Sequence, residues 1–193
     1  MRRRHVLAAA GVGLWSGCLG PLRNARENAA PDRASGSDAG AEAWPMYGSG
    51  VANAGHVPGG TGPKREVTAR WAFETGAGVG SSPAVVDGTV YVGSNGGGLY
   101  ALDTADGSPR WTLGTLSGRV SSPAVVDEGF YIGSNAGRLS TVEAATGDQG
   151  WTYRTGGAVF SSPAVADGTV YVGSDDGAVY ALDAAEGSVQ WSF

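Results

Sequence analysis

Ser81-Ser82-Pro83-Ala84-Val85-Val86-Asp87-Gly88-Thr89-Val90-Tyr91-Val92-Gly93-Ser94 is the stretch on which the architecture turns, because it comes back twice. Ser81 to Asp87 recurs as Ser121 to Asp127 and as Ser161 to Asp167, with Ala166 in place of a valine. Tyr91-Val92-Gly93-Ser94 recurs as Tyr131-Ile132-Gly133-Ser134 and Tyr171-Val172-Gly173-Ser174. The offset is 40 residues throughout, and Trp71, Trp111, Trp151 and Trp191 fall on the same ruler. A period of this size marks one supersecondary unit used several times over.

Each unit reads as four short strands. Pro83 to Val86 is the first, and Asp87-Gly88 is a two-residue turn of the kind that tolerates positive φ. Thr89 to Ser94 alternates as the second strand, and Asn95-Gly96-Gly97 turns the chain again. Leu99 to Asp103 is the third strand, and Asp106-Gly107 leads into the fourth, Pro109 to Leu113. No long stretch has helical periodicity. Four antiparallel strands per 40 residues predict a β-propeller blade, so the fold class is all-β. A blade buries both faces against its neighbours, so a tryptophan at a fixed place in every unit is expected to lie between blades as a structural element.

The 34 glycines among 193 residues suit this reading, because every blade needs several tight turns. The net charge is −5, but Arg2, Arg3 and Arg4 stand at the extreme N-terminus; beyond Cys18 there are ten basic against 18 acidic side chains, near −8. Such a body repels a phosphate backbone, and nucleic acid is not an expected partner.

Residues 1–18 combine a basic start, an apolar run from Val6 to Trp15 and the small pair Ser16-Gly17 before Cys18. About ten apolar residues are half of a bilayer span, which predicts an export signal. Arg3-Arg4-His5-Val6-Leu7 resembles a twin-arginine signal, and Leu14-Trp15-Ser16-Gly17-Cys18 resembles a lipobox, with Trp15 where a smaller aliphatic residue is usual. The resemblance implies that Cys18 becomes the lipidated first residue of the mature chain, its lipid the chain's sole link to a membrane. As the sole cysteine it has no internal disulfide partner. Residues 19–43, poor in large apolar side chains, are expected to be a disordered tether, and 44–193 the propeller part.

The run Ala101-Leu102-Asp103-Thr104-Ala105-Asp106-Gly107-Ser108-Pro109-Arg110-Trp111 resembles the tryptophan-docking motif of PQQ-type (pyrroloquinoline quinone) propeller repeats: Ala, any residue, Asp, three residues, Gly, three residues, Trp. Ala181, Asp183, Gly187 and Trp191 repeat all four fixed places, whereas the middle copy keeps Gly147 and Trp151 but has Thr141 and Glu143. Trp44-Pro45-Met46-Tyr47-Gly48, followed by Asn53-Ala54-Gly55, resembles the lead-in segment of the same family. The resemblance implies structural roles for Trp111, Trp151, Trp191, Ala101, Asp103, Gly107, Gly147, Ala181, Asp183 and Gly187. It does not select a function. Its members include quinone-cofactor alcohol dehydrogenases and the propeller lipoprotein of the outer-membrane β-barrel assembly machinery.

The dehydrogenases hold a quinone over the axis with calcium, a catalytic aspartate and often an adjacent cysteine pair, which this chain lacks. Asp175-Asp176-Gly177 stands where the other units have Asn95-Gly96-Gly97 and Asn135-Ala136-Gly137, which makes it a turn and not a calcium loop. His56 has no nucleophile in a suitable frame, since the Ser-Ser-Pro runs lack the glycines of a nucleophile elbow. Gly76-Ala77-Gly78-Val79-Gly80 neither follows dinucleotide spacing nor opens a helix. No catalytic, cofactor or metal residue is therefore expected. The reading is a lipid-anchored, extracytoplasmic, non-catalytic binding or scaffolding module that takes a protein or peptide on its loops. The alternative is a fragment or subunit of a quinone-dependent dehydrogenase. Three complete blades plus one extra strand, Thr68 to Thr75, form an incomplete ring, below the usual four to eight blades. Either relatives are longer, or two chains join to complete the ring.

Overall fold

The computed structural model describes residues 44–47, 66–114, 116 and 118–193. The export signal, Cys18, the tether and His56 lie outside the described residues.

Twelve strands form three separate four-stranded antiparallel sheets, each in simple sequential order. The first blade holds β1 (Ala84–Val86), β2 (Thr89–Gly93), β3 (Leu99–Asp103) and β4 (Pro109–Leu113). The second holds β5 (Ala124–Val126), β6 (Gly129–Ser134), β7 (Arg138–Glu143) and β8 (Gln149–Arg154). The third holds β9 (Ala164–Ala166), β10 (Thr169–Gly173), β11 (Val179–Asp183) and β12 (Val189–Ser192). This is a partial β-propeller whose ring is not closed. The expected strands match these within a residue or two, since turn chemistry fixes both ends of each strand. Asp87, Asp127 and Asp167 all have positive φ, at 46°, 52° and 49°, which a short polar side chain tolerates better than a branched one.

Alternation sends successive side chains of a strand to opposite neighbours. Tyr91 and Ala101 of the first blade meet Phe130, Ile132 and Val142 of the second in one core cluster. Ala124 and Leu139 of the second meet Val170, Val172 and Leu182 of the third in another. The outer face of the first blade, Val90, Val92 and Leu102, is covered by Trp71, with Phe73 packed alongside. Thr68–Thr75 carries that indole into place without joining a ladder; Phe73 makes only an isolated bridge.

A proline directly precedes each innermost strand, which suits an edge that needs no further donor there. Trp44 closes that edge on the first blade, exchanging two hydrogen bonds of 2.7 Å with Val85. Val125 donates to the carbonyl of Pro45 at 2.7 Å, and Met46 is buried in the cluster between the second and third blades. Residues 44–46 thus run across the inner edges of the blades.

Candidate functional site

The repeated polar side chains are best followed from the tryptophans. Trp71 Nε1 donates to the Thr104 carbonyl at 3.0 Å, Trp111 Nε1 to Ala144 at 2.8 Å and Trp151 Nε1 to Ala184 at 3.1 Å. Three residues after each acceptor comes a glycine with positive φ: Gly107 (75°), Gly147 (80°) and Gly187 (71°). A β-carbon on Gly107, Gly147 or Gly187 would sit 2.5, 2.8 or 2.5 Å from the indole of Trp71, Trp111 or Trp151, so both the backbone angle and the ring require glycine there. A tyrosine joins two of these sockets. Tyr131 Oη donates to Ala184 at 2.9 Å, and Tyr91 Oη reaches Ala144 at 3.4 Å. Burial pushes the Tyr131 hydroxyl pKa up, and the charges of Asp127 and Asp183 push it further.

The remaining motif positions shape the turn. Asp103 Oδ1 accepts the Ala105 amide at 2.8 Å, and Asp183 Oδ1 accepts those of Ala185 and Glu186 at 2.9 Å. Arg110 donates to the other oxygen of Asp103 at 2.8 Å, and this bond, with the Ala105 amide, holds the carboxyl below the usual range. Ala101 and Ala181 are fully buried opposite Trp111 and Trp191 in the strand register. In the divergent middle copy Glu143 takes the Thr146 hydroxyl at 2.9 Å in place of an amide, yet Gly147 still bonds to the Glu143 carbonyl and Trp111 still docks.

One expectation needs correction. The three tryptophans were all expected to lie between blades; Trp111 and Trp151 do so half-buried, whereas Trp191 is 47% exposed. Trp191 keeps its tyrosine: the Tyr171 and Trp191 rings lie 6.0 Å apart, as those of Tyr91 and Trp111 do, yet no carbonyl or glycine of the described residues meets them.

The serines that open the repeat are equally occupied, whereas the buried hydroxyls of Ser94 and Ser134 have no partner among the described residues. Ser81 Oγ takes the Gly93 amide at 2.8 Å and donates to its carbonyl at 2.9 Å; Ser161 does the same with Gly173. Ser122 Oγ accepts the Ser82 amide at 2.8 Å, across the first two blades. Asp175-Asp176-Gly177 is a turn, and Asp176 is its staple, a role sequence reasoning missed. Its carboxylate accepts Tyr180 Oη at 2.7 Å, the Gly156 amide at 2.7 Å and the Ala178 amide at 3.0 Å. The Tyr180 hydroxyl above all, with those amides, keeps its pKa low. Only Tyr180, four residues downstream, hinted at this.

At the second blade lies an open cleft of about 240 Å³, lined by Asn135, Ala136 and Gly137 of the β6–β7 turn and by Thr155 to Ala158, which follow β8. It sits at the end of the blades where the second strand turns into the third. A quinone with calcium needs convergent carboxylates, and among the described residues no three His, Cys, Asp or Glu side chains stand close enough to hold a metal ion. The described residues do not fit that pair, and no reaction step is derived through it.

With that geometry in hand, comparison with known proteins is informative. The family described as PQQ_2, outer membrane protein assembly factor BamB, matches residues 32–130 and 113–193. The chain belongs to this family. Among solved structures it is similar to BamB from Moraxella catarrhalis, with a TM-score of 0.57 and 24% identity over 64% of this chain and 39% of that one. It is also similar to the quinohemoprotein alcohol dehydrogenase ADHIIG from Pseudomonas putida HK5, with a TM-score of 0.69 and 24% identity over 79% and 26% of the two chains. The computationally designed Ika4 protein has a TM-score of 0.61 and 16% identity over 66% and 80%. No curated protein matches. The chain therefore spans well under half of the two natural structures, and at these identities the likeness is one of fold.

Proposed function

We propose that this BamB-family propeller is a non-catalytic binding or scaffolding module, held outside the cytoplasm by a lipid on Cys18 and a tether of residues 19–43, that engages a protein or peptide through its loops. The observation that carries the reading is where the polar chemistry is spent. Ser81, Ser121 and Ser161, the docking aspartates, Tyr91, Tyr131 and Asp176 bond to backbone groups of the fold. What differs from blade to blade is the loop end around Asn135–Gly137 and Thr155–Ala158, where an open cleft lies. Loops on a rigid scaffold are where binding residues concentrate. Similarity to a protein described as an assembly factor supports a protein partner.

The test uses photo-crosslinking residues at Ala136 and at Asp87, which lie at opposite ends of the blades. Binding through the loops gives a crosslinked partner from Ala136 and none from Asp87 in native membranes. Equal labelling, or none, defeats the proposal. Cys18→Ser should release the protein from membranes or leave it unprocessed. Redox cycling of added quinone with calcium would instead support the dehydrogenase reading.

A further inference from the structure

One end is acidic in every blade, and the other carries both signs. The turns joining first to second strands hold Asp87, Asp127 and Asp167, and those joining third to fourth hold Asp103, Glu143 and Asp183 or lie beside them. Arg110 stands at that end, paired with Asp103. At the loop end, by contrast, the second blade breaks the repeat three times, each time toward arginine.

The hydrogen bonds define the equivalences. Asn95 donates to the carbonyl of Gly78, Asn135 to that of Arg119 and Asp175 to that of Ala158, so Arg119 occupies the place of a glycine and an alanine. Arg138 opens β7 where Gly98 and Ala178 precede the corresponding strands, and Arg154 ends β8 where Gly114 follows β4. A side chain of maximal length and charge thus replaces glycine or alanine at these places, except that Glu74 stands two repeats before Arg154.

These arginines are not used to hold the fold. Arg138 and Arg154 are directly opposed in the β7–β8 register, a like-charge pair that costs stability. Neither has a carboxylate partner among the described residues. Arg119 lies 5.4 Å above the ring of Phe160, which is itself 44% exposed. Arg138 and Arg154 directly flank Gly137 and Thr155, which line the open cleft. The nearest carboxylates, Asp175 and Asp176, stand in the third blade's turn and do not line the cleft, and Asp176 is engaged by three donors of the fold. Arg138 and Arg154 are the charged residues next to the cleft lining in sequence.

We propose that Arg119, Arg138 and Arg154, with the Asn135–Gly137 and Thr155–Ala158 cleft, form a docking surface for an acidic segment of a partner protein. The proposal rests on the binding-module reading and adds the partner's chemistry. Guanidinium groups fork onto carboxylates, Phe160 offers an apolar contact beside them, and incoming carboxylates relieve the Arg138–Arg154 repulsion. An otherwise acidic protein steers such a segment to this end and away from the other.

The probe is a fluorescein-labelled oligoglutamate peptide, with oligolysine as control, titrated onto the full chain by fluorescence anisotropy. Oligoglutamate should bind in a salt-sensitive manner, and the triple variant R119Q/R138Q/R154Q should lose at least about tenfold in affinity. Arg138→Gln alone should raise Tm by about 1–2 °C, because it removes the like-charge pair. No oligoglutamate binding, or equal binding by the triple variant, overturns the proposal. So does binding of phosphatidylglycerol vesicles but not of peptide, which would make the surface a lipid contact. Each of those failures leaves the Ala136 crosslinking result standing, so the narrower claim can fall without the module reading.

Discussion

The joint between the second and third blades and the free face of the third blade are built from the same parts and end in opposite states. At the joint, Trp151 donates to Ala184 and lies against Gly187, and Tyr131 shares the acceptor. On the free face, Trp191 and Tyr171 hold the same mutual arrangement, 6.0 Å apart, with Trp191 47% exposed and Phe193 96% exposed. The socket is thus preset by each blade on its own. What the next blade adds is a carbonyl and a glycine three residues later. Docking completes the site without reshaping it.

That comparison can be broken by substitution. Trp151→Ala should be the most damaging change, at about 3–4 kcal/mol in denaturant unfolding, because it empties a large aromatic site between two blades. A loss under about 1 kcal/mol would mean that the joint is held by aliphatic packing alone. Gly187→Ala should cost about 2–3 kcal/mol, since it combines a left-handed backbone angle with a methyl group pushed into the Trp151 ring. If alanine is tolerated there, the indole does not press on that glycine. Tyr131→Phe removes one of two donors on the Ala184 carbonyl while leaving the ring, and should cost about 1 kcal/mol. Trp191→Ala should cost less than about 0.5 kcal/mol by the same measurement. A loss comparable to that of Trp151 would show that something covers the third blade's face in solution.

Acid gives a subtler contrast within the turns. Asp103 and Asp176 have carboxyl pKa values held low by hydrogen bonds to Arg110 and Tyr180. Their contributions are present above the ordinary carboxylate range and fade as pH falls through the lowered values. Asp176→Asn should flatten the acid limb of the Tm–pH curve followed by circular dichroism, and an unchanged acid limb would show that this carboxylate is not held ionised by the fold.

Most of the fold was legible because each blade repeats its turn chemistry and its alternation in register, so three weak signals agree. The docking motif was legible for the same reason, down to Gly147 and Trp151 in the divergent copy. Burial of the tryptophans was not, because it depends on what lies 33 residues further along: Ala144 for Trp111, Ala184 for Trp151. Asp176 was read correctly as a turn residue, but its bond to the Gly156 amide, 20 residues away, leaves no local trace. The arginines were invisible as a group, since only the topology brings 119, 138 and 154 to one end of the blades.

The spacing of the docking bonds also sets an order in time. Trp71, Trp111 and Trp151 find their acceptors 33 residues downstream, and Tyr91 and Tyr131 theirs 53 residues downstream. A chain that emerges N-terminus first must therefore hold every newly made blade unlatched until nearly one more blade has appeared. The latch closes from behind: Ala144 secures Trp111 before Ala184 exists to secure Trp151. Assembly is directional for this reason alone, and a stall in synthesis would always strand the same half-finished surface, an aromatic pair waiting for a carbonyl.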